Sequence, residues 1–384
     1  MQASSALARE IAGTYPRRDR ALATDTATAN EYSAGMPAPD EELPTIEDVA
    51  RTAGVSTATV SRVLNRPGEV RDALRQKVLS AVAELGYVPN AGARAMKLRR
   101  SGTVGAIFPT VDNAIFAKAI DALQRRLAES GLQLLLATSG YDPATETRQA
   151  LNLLTCGVDA LVLCGVGQRE ELLQQLRQRG VPVVHVMSWP APPDRVAVGF
   201  DNARAMAQVV RYLLDLGHRH IAMLAGQTRD NDRAAARVAG VRDALRAAGL
   251  TLPASRLVER PYELGAARDG LRVLLQADPA PTAVVCGNDV LATGALLEAA
   301  RLGVAVPGQL SIVGFDDLEL AGHLQPGLTT VRVPAEEMWR LAADRVLDAL
   351  RGVEVPRATE IEVALVVRGS TAPPPGARRA RARR

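Results

Sequence analysis

The chain has 384 residues, of which 47 % are hydrophobic but only 3 % aromatic, and carries a formal net charge of +4. That length suits two or three domains with an aliphatic core. No apolar run reaches the ~18 residues needed to span a membrane, and the N-terminus lacks the apolar stretch of a secretory signal, so a cytoplasmic protein is expected.

Residues 1–43 are rich in Ala, Thr, Ser and acids and carry a net charge of −3. With no sustained hydrophobic period they are expected to be a disordered extension, and Met36, just before the first structured pattern, is a candidate start of translation. Residues 44–100 carry a net +5. A small basic segment beside a near-neutral remainder points to nucleic acid.

Residues 44–89 have the pattern of a helix-turn-helix. Thr45 is a good N-cap, with Glu47 and Asp48 in the first turn. A first helix is expected over 46–52 and a second over 57–64, with Ser56 as its N-cap. Ala50 is small where two helices must cross, and Gly54 suits the positive φ of the turn. Val49, Val55, Val60 and Val63 supply a small core. Val70, Leu74, Val78, Val82 and Leu85 mark a third helix that Gly86 ends. The second helix would enter the major groove by its N-terminus. There Thr57, Ala58 and Thr59 can touch base edges, and Arg62 can pair bidentately with guanine. Thr45, Ser56 and Asn65 suit phosphate contacts.

From residue 103 the pattern alternates between short apolar runs and amphipathic segments. Strands are expected at 104–108, 132–137, 160–163, 181–186, 196–198, 221–225, 283–286 and 311–315, and a last strand region over 356–371. Helices are expected near 115–130, 144–155, 170–179, 202–216, 234–248, 264–276, 289–302 and 335–351. This is a parallel α/β architecture, long enough for two units with a ligand crevice at the strand C-termini. Polar and aromatic residues near strand ends are the candidate ligand contacts: Asp112 and Phe116, Phe200 and Asp201, Arg237, Tyr262 and Asp289. A carboxylate facing an arginine across a cleft suits a polyol. Residues 372–384 hold three prolines and five arginines and are expected to form a disordered basic tail.

The three cysteines and four histidines show no metal-ligand spacing, so no metal or cofactor is expected. No nucleophile elbow or phosphate-binding loop follows a strand, so the chain is not expected to be an enzyme. Cys164 and Cys286 end apolar runs and are expected to be reduced and partly buried.

"TIEDVARTAGVSTATVSRVLN" followed by "VLSAVAELGYVPNAGARAM" closely resembles the lactose-repressor (LacI/GalR) family of transcriptional regulators. The resemblance continues through "VGAIFPTVDNAIF", "LLDLGHRHIAML", "RVAGVRDAL", "PTAVVCGNDVLATGAL", "VPGQLSIVGFDD" and "PGLTTVRVP" and covers about residues 45–370. It implies an all-α helix-turn-helix domain joined to a two-subdomain ligand domain like the type I periplasmic sugar-binding proteins. One subdomain would take 103–200 and 306–332, the other 201–305 and 333–371. It implies a homodimer on a pseudo-palindromic operator; without a leucine heptad in the tail, no tetramer is expected. Residues 90–102 match the family's hinge and linker. There Asn90, Arg94 and Lys97 would meet DNA, and Met96 stands where a Leu usually wedges into the minor groove. The positions matching Arg237 and Asp289 would hold the effector by charge-assisted bonds, and Tyr262 would pack a ring on it. "FPTVDNAIF" and "LLLATSGYDPATE" look most like the gluconate-repressor branch, so the expected effector is a sugar or sugar acid. The alternative is a periplasmic-type sugar-binding protein without a regulatory role.

Overall fold

The computed structural model describes residues 43–65, 67–88 and 100–376. The chain divides near residue 90 into two compact units. Asn90, Arg94, Met96 and Lys97 lie outside the described residues, as do 1–42 and 377–384.

The first unit is three helices, α1 (Ile46–Ala53), α2 (Thr57–Asn65) and α3 (Asp72–Leu85). Thr45 and Asp48 close a capping box at the start of α1. Gly54 ends it at φ 59°, in the left-handed region, where an L side chain costs about 1–2 kcal/mol. Ser56 Oγ accepts from Thr59 N at 3.2 Å and so caps α2. Val49, Ala50, Ala53, Val60, Val63, Val78 and Ala81 form a core of small side chains. Such residues let three short helices approach closely enough to exclude water, with Tyr87 packed against the edge of the cluster.

The second unit holds two six-stranded sheets. In chain order its elements begin β1 (Thr103–Phe108), α4 (Ala114–Ala128), β2 (Gln133–Thr138), α5 (Pro143–Thr155), β3 (Ala160–Cys164), α6 (Glu170–Gln178), β4 (Val183–Val186) and β5 (Val196–Gly199). Then follow α7 (Asn202–Asp215), β6 (Ile221–Gly226), α8 (Asp232–Ala247), β7 (Leu257–Arg260), α9 (Leu264–Leu274), β8 (Ala283–Cys286), α10 (Asp289–Arg301), β9 (Ser311–Asp316), α11 (Glu319–His323) and β10 (Thr329–Arg332). The unit closes with α12 (Ala335–Arg351), β11 (Ala358–Glu360) and β12 (Ala364–Val366). The central strands are buried along their whole length, as strands covered by helices on both faces must be.

The first lobe has strand order β11-β5-β4-β3-β1-β2 and the second β12-β10-β9-β8-β6-β7. All pairs are parallel except β10–β12. The chain therefore passes between the lobes three times: after β5, after β10 and after β11. This corrects the division expected from sequence. Residues 306–332 belong to the second lobe, because β9 pairs with β8 and β10 with β9. The segment carrying α12 and β11 belongs to the first lobe. β11 pairs with β5, and on α12 Trp339 stacks on Phe108 of β1 at 4.7 Å. A strand's hydrophobic pattern shows that it is buried, not which sheet buries it.

Candidate nucleic-acid interface and interlobe ligand site

On the first unit, Thr57, Ala58 and Arg62 are exposed on α2, and Arg62 forms no ion pair with an acid among the described residues. Thr59 is half-buried and its hydroxyl lies 2.9 Å from that of Ser56. The Thr45 hydroxyl donates to Asp48 Oδ2 at 2.7 Å. Asn65 is exposed, but its amide NH2 is turned back onto Ser61, donating to the carbonyl at 2.7 Å and the hydroxyl at 3.3 Å. A phosphate contact through that amide requires these bonds to open. Thr57, Ala58 and Arg62 are open to solvent, while the capping residues are engaged with their own helices.

In the second unit the strand C-termini of the two lobes face a common cavity. Its inner part is lined by Asn113, Phe116 and Tyr141 from the first lobe and by Asn231, Arg233, Arg237, Tyr262, Asn288 and Asp316 from the second. An outer chamber of about 320 Å³ shares Asn113, Tyr141, Asn231 and Tyr262 and has Asp112 at its rim. Tyr141 and Tyr262 meet from opposite lobes, their ring centroids 5.8 Å apart. Burial pushes both phenol pKa values up, so both hydroxyls remain available as donors.

Arg237 forms the floor. Its Nε donates to Asn202 Oδ1 at 2.8 Å and its Nη1 to the Gly287 carbonyl at 2.7 Å. The guanidinium lies 3.8 Å over the Phe315 ring. Such a side chain is held in place before any ligand arrives. Beside it, Asp316 is 4 % exposed and its Oδ1 has no hydrogen-bond partner. Burial raises its pKa to about 6 against the lowering effect of Arg237.

Three asparagines complete the site, and each is a helix N-cap. Asn113 Oδ1 accepts from Ile115 N, Asn231 Oδ1 from Ala234 N and Asn288 Oδ1 from Leu291 N. Each lines the cavity and spends its carbonyl oxygen on its own helix, which leaves its NH2, a donor only, unspent on that helix. The positive ends of α4, α8 and α10 point to the same place.

Of the residues expected from sequence to hold the effector, Phe116, Arg237 and Tyr262 line the inner cavity, and Asp112 stands at the outer rim. Three expectations are corrected. Phe200 is fully buried in the core, with its ring 5.9 Å from that of Phe315. Asp201 caps α7, accepting from Arg204 N at 2.8 Å. Asp289 turns away from the cavity: it accepts from Leu318 N at 2.7 Å and from the Thr330 hydroxyl at 2.6 Å. Burial, then the nearby Asp316, raises its pKa to about 7. The carboxylate beside Arg237 is Asp316. Sequence reasoning also missed Asn113, Tyr141, Asn231, Arg233 and Asn288. Asp316 had a signal: it is the first acid of "GFDD", directly at a strand C-terminus.

A helix-turn-helix unit joined to a two-lobed ligand domain defines a ligand-responsive DNA-binding regulator. The family model described as bacterial regulatory proteins, lacI family, matches residues 45–90, and that of a periplasmic binding protein-like domain matches 210–371. The chain is 34 % identical to the HTH-type transcriptional regulator GntR of Escherichia coli K12, over 86 % of this chain and 99 % of that one. It is 33 % identical to the regulator DegA of Bacillus subtilis, over 86 % and 98 %. Among solved structures it is similar to the lac repressor dimer bound to operator and the anti-inducer ONPF, with a TM-score of 0.76 and 26 % identity over 86 % of this chain and all of that one. It is also similar to a transcriptional regulator CelR–cellobiose complex, with a TM-score of 0.63 and 32 % identity over 85 % and 99 %. The chain belongs to the lacI family of bacterial regulatory proteins and is a DNA-binding transcriptional regulator. No helix among the described residues is long and apolar enough to cross a membrane.

Proposed function

We propose that the chain is a homodimeric repressor that reads a pseudo-palindromic operator through α2 and is controlled by a sugar acid bound between the lobes. The observation that carries the effector class is the imbalance of donors and acceptors in the inner cavity. Arg233, Arg237 and three asparagines whose carbonyl oxygens are spent on their helices line it with three helix N-termini, against one carboxylate, Asp316, whose Oδ1 has no hydrogen-bond partner. Asp232 answers Arg233 at 3.1 Å, and the remaining donors call for an acceptor-rich ligand. An anionic group suits the guanidiniums and helix ends, while Asp316 suits the hydroxyls of the same molecule. Similar proteins fit a sugar-type effector and a dimer on DNA: one solved structure is a complex with cellobiose and another is a dimer bound to operator and the anti-inducer ONPF. Thr57, Ala58, Thr59 and Arg62 read base edges in this proposal. Thr45, Ser56 and Asn65 contact phosphates, and Asn90, Arg94, Met96 and Lys97 serve as a DNA-contacting hinge.

The test is a thermal-shift screen of sugars and their acids, gluconate included, repeated with operator DNA selected from a randomised pool. Acids raising the melting temperature more than their neutral counterparts support the proposal. Neutral sugars stabilising the protein while every acid fails overturns it. The change in ligand effect on adding DNA gives the sign of the coupling, since linkage between two sites is reciprocal.

A further inference from the structure

Beside the effector cavity an ion pair of the second lobe is seated on a bare patch of the first. Asp232 opens α8. Its Oδ1 holds Arg233 Nη1 at 3.1 Å, while its Oδ2 accepts from the Ser188 hydroxyl at 2.7 Å and from Val166 N at 2.9 Å. Ser188 and Val166 both belong to the first lobe, following β4 and β3. The patch itself is Gly165, at φ 78°. A Cβ there would lie 2.2 Å from Arg233 Nη1 and 2.4 Å from Asp232 Oδ1, so any side chain would meet the pair and strain the backbone as well.

The first lobe holds this patch in shape by itself. Gly165 N donates to the Val186 carbonyl at 2.8 Å. The Gly165 carbonyl lies 3.1 Å from His185 Nδ1, and Arg195 donates to the Val166 carbonyl. Burial lowers the His185 pKa to about 4, so the ring is neutral and its Nδ1–H serves the Gly165 carbonyl. With its carbonyls held from behind, the loop turns the Val166 N–H toward the second lobe. The carboxylate that meets it is charged: burial acts to raise the Asp232 pKa, but Arg233, Ser188 and Val166 outweigh that and leave it below its ordinary value.

We propose that Asp232 and Arg233 form a clasp that holds the ligand domain closed, with Gly165, Val166 and Ser188 as its catch. The clasp couples the lobes directly, and any ligand that favours closure works together with it. It does not depend on the effector being an acid.

The experiment uses the full chain without added ligand. Hydrogen exchange at the Val166 amide reports the clasp, because Asp232 is its acceptor. Small-angle scattering reports lobe separation. In Asp232→Ala the Val166 amide should exchange at least tenfold faster and the radius of gyration should rise, while amides within β3 keep their protection. Ser188→Ala, a milder change on the opposite lobe, should shift both readouts the same way by less and keeps the test open should Asp232→Ala fold poorly. A Val166 amide that exchanges equally fast in wild type and both variants, or a scattering profile that none of them alters, overturns the clasp.

Discussion

Arg237 and Asp316 come within 4.0 Å of each other in the cavity floor without sharing a hydrogen bond. Two arms of the guanidinium are committed to Asn202 and Gly287, and Asp316 Oδ1 has no partner. A buried carboxylate left this way is costly unless it takes up a proton or a ligand.

The first prediction concerns that proton. The folded pKa of Asp316 is about 6, above its ordinary value of 3.8. A raised pKa means that the folded state binds the proton more tightly. The resulting stabilisation is fully present below pH 3.8 and is lost as pH rises through about 6, for a total of about 3 kcal/mol. Asp316→Asn cannot titrate, so its stability relative to wild type should improve between pH 4 and pH 7.5. Urea unfolding of both proteins at the two pH values checks this; a constant difference would mean that Asp316 does not titrate in that window.

The second prediction separates the two acids. Asp316 faces the cavity, whereas Asp289 is spent on Leu318 N and the Thr330 hydroxyl. Asp289→Asn should lower stability by about 1–3 kcal/mol, because a buried donor loses its acceptor. It should leave effector affinity within about threefold, a change under 1 kcal/mol. Asp316→Asn should do the reverse at neutral pH, weakening effector binding at least tenfold. Calorimetric titration of both variants decides it, and equal affinity losses would contradict the assignment.

How the sequence foreshadowed this site follows from what each signal measures. Strands such as Val104–Phe108 and Ala283–Cys286 were legible because parallel strands buried on both faces are continuous apolar runs. The turn at Gly54 was legible because helix caps and a positive φ restrict residue type. The placement of β9, β10 and β11 was not, since pairing partners leave no trace in hydropathy. Within the site, Asp289 and Asn288 are adjacent polar residues at the same strand–helix junction. Only the direction of each side chain decides that Asn288 faces the cavity and Asp289 the body of its lobe. Arg233 was equally hidden: an arginine at the start of a helix is ordinarily solvated, and here the other lobe covers it.

The third prediction concerns α2. Arg62 is exposed and forms no ion pair among the described residues, one turn beyond Thr57 and Ala58. Arg62→Ala should cost about 1–3 kcal/mol of discrimination at one base pair of each half-site and leave the ranking at other positions unchanged. Fluorescence anisotropy on a panel of single-base operator variants measures it. If mutant and wild type rank the whole panel alike, Arg62 contacts phosphate rather than a base.

The last prediction bears on the charge of the effector. Arg233 is 8 % exposed and lines the inner cavity, and its one carboxylate partner among the described residues, Asp232, also accepts from Ser188 and Val166. One shared carboxylate compensates a buried guanidinium only partly, so an anionic ligand group beside it completes the pairing. Arg233→Met keeps most of the side-chain volume and removes the charge. Affinity for a sugar acid should then fall at least tenfold, since a hydrogen bond to a charged group contributes about 1.5–3 kcal/mol. The neutral polyol of the same chain length, which has no charge for Arg233 to meet, should lose only the smaller share that a weakened clasp costs both ligands. Titration of both ligands into both proteins gives the four affinities. A loss of equal size for acid and polyol would show that Arg233 shapes the cavity without reading charge.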